Sequence, residues 1–143
     1  MPDAISLVLA NRIIEAALAK AEEMGLQPLT VAVLDPGSHL VALARQDGSS
    51  VLRPQIAIAK AASALALGLS SRSVATMATE RPGFVAALSA LAPQGIIPAA
   101  GGLLIKGESG GLIGAIGVTG DNSDNDELCA LHGLTAVGLS AVN

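Results

Sequence analysis

A single lysine stands inside an almost uncharged stretch, IAIAKAASALALG, at residues 56–68. On a helix, Lys60 has Ile56, Ala57, Ser63 and Ala64 as neighbours. An ammonium in such surroundings must reach water along its stem, find a counter-charge, or work. Work here means clamping an anion, or acting as a general base whose pKa burial has lowered. Few other groups compete for a chemical role. His39 and His132 are the only histidines and Cys129 the only cysteine. A lone histidine is as readily structural or solvated as it is a ligand. Cys129 and His132 share a helix face, but two ligands fall short of a closed zinc site, so no dedicated metal site is expected. Arg45, beside the Gln46-Asp47-Gly48 loop, offers either a guanidinium fork for a carboxylate or a plain strand-end charge. Asp126 and Glu127 sit where a helix should begin. They either complement its dipole, serve in acid–base work, or pair with Lys60 or Arg45. Ser63 and Ser109 have no identifiable partners for a Ser-His-Asp arrangement.

The stretch GGLLIKGESGGLIGAIGVTG, residues 101–120, holds eight glycines. A phosphate loop of the Walker type needs Gly-Lys followed by Ser or Thr, whereas Lys106 precedes Gly107 and Glu108. The dinucleotide fingerprint needs its glycines between a strand and a helix. Here Gly114, Gly117 and Gly120 lie within an apparent strand that runs into DNSDNDE, whose carboxylates would repel phosphate. Two readings remain. Glycine in a strand admits close approach of another backbone, with the alanine-rich helix as the natural neighbour. Alternatively Gly101, Gly102 and Gly117 floor a ligand cleft, their bare backbone donating to an anion.

The elements that must position these residues follow from periodicity and turn chemistry. Residues 4–24 read as an amphipathic helix, with Leu7, Ala10, Ile13, Ile14, Ala17, Leu18, Ala21 and Met24 on one face. Asp3 is its expected cap and Gly25 its end. LTVAVLD and HLVALAR read as a hairpin around Asp35-Pro36-Gly37-Ser38, with Pro fixing φ at the second position and Gly supplying positive φ at the third. Ser49 or Ser50 would cap a buried helix over 51–67, ended by Gly68, with Pro54 tolerable in its first turn. Two shorter helices are expected over 71–80 and 82–91, the second with Phe84, Leu88 and Leu91 on one face. A second hairpin around GESGG and a helix over 123–139 complete the order α-β-β-α-α-α-β-β-α. Hairpin, helices and hairpin imply an α+β fold: an antiparallel sheet of about four to five strands with helices packed on it.

Length and composition set the outer limits. The 143 residues suit a single domain over 1–143. Hydrophobic residues make up 51% and charged ones 14%, yet no apolar run is long enough to span a bilayer and no leader sequence is evident. A net charge of −4 without a basic run, and one aromatic residue in all, argue against nucleic acid as a partner. The lone cysteine fits a reducing compartment such as the cytoplasm. So apolar a chain with so few charges is expected to hide surface in a homo-oligomer.

Three blocks, VAVLDPGSHLVALARQDGS, IAIAKAASALALG and GIIPAAGGLLIKGESGGLIGAIGVTGDNSDNDELCA, make the chain resemble the GlcG/HbpS family of small haem-binding-like proteins, from about residue 5 to 140. The same domain forms the C-terminal part of some PduO-type proteins. The resemblance implies an α+β sandwich assembled into dimers and commonly octamers. It also implies that the lysine of the alanine-rich helix, Lys60, belongs to the family motif. Some members bind haem, in certain cases through a histidine on the first helix; the first helix here has none, and Met24 at its end is a poor substitute. Genes of other members lie in catabolic operons.

Together these readings lead us to expect a protein that holds a small anionic organic molecule. Lys60 and Glu127 are the candidate catalytic residues. Arg45, His39, Gly101, Gly102, Gly117 and Asp126 are the candidate ligand contacts. If catalytic, it would be a cofactor-free isomerase or lyase working by proton transfer. The alternative is a haem-binding or haem-sensing protein.

Overall fold

A computed structural model describes residues 3–142. Its elements are α1 (Leu7–Met24), β1 (Thr30–Leu34), β2 (Leu40–Arg45), α2 (Arg53–Leu67), α3 (Ser71–Glu80), α4 (Pro82–Ser89), β3 (Gly102–Lys106), β4 (Leu112–Thr119), α5 (Ser123–Ala136) and β5 (Ser140–Ala141). The expected α+β order is borne out, with a two-residue strand added at the end. The five strands form one antiparallel sheet in the order β2-β1-β4-β3-β5.

Alternation along the strands divides the core into two apolar clusters. Val31, Val33, Leu103, Ile105, Ile116 and Val118 pack with Ile13, Ala17, Cys129 and Leu134 of α1 and α5. Leu34, Leu104 and Ala115 pack with Ala61, Ala62 and Ala64 of α2. The sheet thus lies between an α1–α5 layer and an α2 layer. A third cluster, Val74, Val85 and Ile96, ties α3 and α4 to the chain leading into β3.

Several local expectations change. The cap of α1 is Ser6, whose hydroxyl accepts from the Leu9 amide, rather than Asp3. The reason is the bond from the Ile5 amide to the Ile113 carbonyl, which holds Ile5 against β4 and delays the helix. Neither Ser49 nor Ser50 caps α2: Leu52 occupies the cap position without a side-chain bond, and the Ser49 hydroxyl pairs with that of Thr30. On α4 the inward residues are Val85 and, in part, Leu88, while Phe84 and, just past the helix, Leu91 are exposed and Arg81 lies over the Phe84 ring. In the β1–β2 turn, positive φ falls on Ser38, at +70°, and not on Gly37. Gly37 serves another need: a β-carbon there would lie 2.9 Å from Nδ1 of His39.

Candidate functional site

Lys60 is buried. Its ammonium donates to the Val118 carbonyl at 2.9 Å and to Oδ2 of Asp126 at 3.2 Å. The side chains are 3% and 1% exposed, so this is an interior ion pair. Oδ1 of Asp126 accepts from the Asp121 amide. Asp121 is held in turn by the Asn125 side chain and the Gln27 and Asn122 amides, which together keep its carboxyl below the usual carboxylate range. Burial pulls Lys60 down and Asp126 up from their ordinary values, and the attraction between them opposes both shifts. Of the options open for Lys60 in the sequence, the structure takes the counter-charge.

The glycines explain how Lys60 gets there. At Gly101 (φ +128°) a β-carbon would lie 2.9 Å from Nζ of Lys60. At Gly102 it would come within 2.3 Å of the Lys60 carbonyl oxygen, and at Gly117 within 1.9 Å of that of Ala57. The α2 backbone therefore seats directly on Gly102 and Gly117, while Gly101 lies against the Lys60 side chain. The opening expected between helix and strands is filled by the helix itself, and the packing reading of the glycines holds. Bare backbone at Gly101 leaves a passage for the lysine stem from the α2 layer to α5.

The other candidates lie apart from this pair. Glu127 accepts from Nε of Arg72 at 3.1 Å, and Asp124 bonds the same guanidinium, making a surface cluster. Arg45 is exposed and, among the described residues, makes no side-chain hydrogen bond or ion pair; it borders a shallow groove with Leu18, Glu22, Leu26 and Pro28. Cys129 lies in the α1–α5 core, where burial pushes its thiol up to about 11, whereas His132 is exposed. Among the described residues, no group of three or more His, Cys, Asp or Glu side chains is gathered for a metal ion.

His39 borders a more apolar hollow than Arg45 does, although the groove beside Arg45 is of similar volume, about 510 Å³. A pocket of about 490 Å³ lies between the β1–β2 turn (Gly37, Ser38, His39), the end of α2 (Ala62, Leu65, Ala66) and the loop Ala92–Gly95. That volume is within the range of small-molecule and cofactor sites, roughly 300–1,000 Å³. Its walls are mainly apolar side chains, with His39, Ser38 and Gln94 as the polar ones. Oδ1 of Asp35 stands 3.3 Å from Nδ1 of His39 and also accepts from the Gly37 and His39 amides. A carboxylate on one ring nitrogen is the arrangement that orients a histidine for metal ligation through the other. The His39 side chain is 81% exposed, and Nε2 has no partner among the described residues. Across the pocket, Gln94 exchanges two bonds with Ser38: the Ser38 hydroxyl donates to Oε1, and Nε2 donates to the Ser38 carbonyl. Gln94 thereby braces the strained residue next to His39. No local pattern singles out Gln94, whose partner lies 56 residues away.

Comparison with known proteins fits this fold. The structure superposes on a PduOC:haem complex with a TM-score of 0.85 at 20% identity, over 98% of this chain and 99% of that one; at this identity the likeness is one of fold. HbpS of Streptomyces reticuli, as a double mutant, gives a TM-score of 0.81 at 26% identity, covering 94% of this chain and 88% of that one. The ORFY protein of Klebsiella pneumoniae gives 0.81 at 29% identity, covering 92% and 88%. No curated protein matches the sequence. The family model described as "Haem degrading protein HbpS-like" matches residues 5–135. With nearly the whole chain spanned by that match, the protein belongs to the HbpS-like family.

Proposed function

We propose that this protein binds a haem-type ligand in the pocket beside His39, which would hold it through Nε2. The observation that carries this reading is the Asp35–His39 pair at the rim of an apolar, cofactor-sized hollow. The donor set suits haem iron, for which histidine is a common axial ligand. The walls suit a porphyrin face. No cation lines the pocket, so acidic substituents would be left to solvent. Bound haem would supply redox chemistry at its iron. This chain's own residues would hold the ligand and fix the imidazole, through Asp35 and the Gln94 brace. The family description and the haem complex of a structural neighbour add support. Haemin titration tests the reading. The wild-type protein should give a saturable Soret shift, and His39→Ala should weaken it at least about tenfold, a loss of about 1.4 kcal/mol or more. No saturable shift, or equal binding by the variant, would overturn it.

Proton-transfer catalysis on a small carboxylated intermediate has less support. Lys60 and Glu127 are both engaged by partners and neither borders the pocket. We also infer a homo-oligomer, because Val8, Val51 and Leu91 are 71%, 83% and 80% exposed.

A further inference from the structure

We propose that Arg53 and Thr119 form a second binding site, one that takes the carboxylate of a small organic acid, separate from the His39 pocket. Arg53 is half-buried at the start of α2, and its Nη1 donates to Oγ1 of Thr119 at 2.6 Å. That neutral hydroxyl is its only side-chain partner among the described residues; no carboxylate lies within ion-pair distance. A guanidinium carries five N–H donors and is always charged, so four donors and the charge are left over. Thr119 is fully buried and its oxygen is already accepting, which leaves its own proton to donate.

The surroundings supply no counter-charge for Arg53. Lys60 lies seven residues further along α2, and the Arg53 charge works against its ammonium. The one carboxylate within reach of Lys60, Asp126, is committed to it. Asp126 therefore answers Lys60 alone, and the Arg53 charge has no counter-ion among the described residues. Thr30, the cross-strand partner of Thr119, places a hydroxyl pair beside the site through its 2.8 Å bond to Ser49. Unused donors around a fixed cation select an anion, and the planar fork of arginine matches the two oxygens of a carboxylate. The neighbouring Val51 and Leu52 are exposed, which suits an acid with an apolar body. Neither His39 nor the pocket beside it takes part.

Titration of the wild-type protein with benzoate at constant ionic strength tests this, followed by NMR of the Arg53 side-chain Nε–H and the Thr119 amide. Inorganic phosphate and chloride form the comparison arms. The expected result is a saturable shift of both signals with benzoate. It should be at least about tenfold weaker in Arg53→Gln and intermediate in Arg53→Lys, which keeps the charge but loses the fork. A linear, unsaturated response, a response centred elsewhere, or equal saturation by phosphate or chloride would overturn the assignment. If Arg53→Gln does not fold, the location and saturation of the wild-type response decide. Haemin is absent throughout, so the outcome is independent of the His39 pocket.

Discussion

Lys60 and Asp126 hold the two helical layers together at one point. Removing one partner of a buried pair strands the other as an uncompensated charge, which costs about 3–5 kcal/mol, whereas an apolar pair of similar volume is often tolerated. Lys60→Met should therefore lower the urea-unfolding free energy by that amount. Lys60→Met with Asp126→Leu should recover much of the loss. Additive losses in the double variant would contradict the pairing. That Lys60 needed an explanation was legible in the sequence, because an ammonium in an alanine helix must be answered. Its partner was less legible, because a carboxylate in the first turn of a helix already has a dipole role. Arg45 and Arg53 show the limit: both follow apolar residues at the border of an element, and only the tertiary fold sets Arg53 against Thr119 while leaving Arg45 in water.

At the scale of elements, the α2–sheet contact rests on missing side chains. The α2 backbone at Lys60 meets Gly102, and at Ala57 and Ala61 meets Gly117, at backbone-to-backbone range. Gly117→Ala would drive a β-carbon into the Ala57 carbonyl, and since backbone cannot step aside as a flexible side chain can, α2 must lift. Overpacking of this kind typically costs about 1–3 kcal/mol and occasionally more. Gly83→Ala is the matched control: it lies in α4 with nothing within 4 Å of the new carbon. Exposed helix positions gain up to about 1 kcal/mol from that change. Thermal melts of the two variants should therefore move in opposite directions, and a neutral Gly117→Ala would contradict the seating. Helix and hairpin order was readable because turn residues and period agree along the chain. Strand β5 was not: two residues carry no period, and the strand exists only because Ile105 and Lys106 present a free edge.

For the whole molecule, the exposed apolar residues decide how copies meet. Val51 and Leu52 precede α2, Leu91 follows α4, and Leu7 and Val8 open α1, so the apolar surface is spread over several sides. Sedimentation velocity should report a dimer or larger species; a monomer at all concentrations would count against the oligomer. The pocket lies where three separate segments converge, the β1–β2 turn, the end of α2 and the loop before β3. Such a site is invisible to local sequence patterns, which is why His39 could be named from the sequence and its surroundings could not. The most direct test of the account is therefore where haemin lands. In amide NMR spectra of the wild-type protein, substoichiometric haemin should broaden the signals of residues 37–39, 62–66 and 92–95 first. Broadening centred on α1, or spread evenly over the molecule, would contradict it.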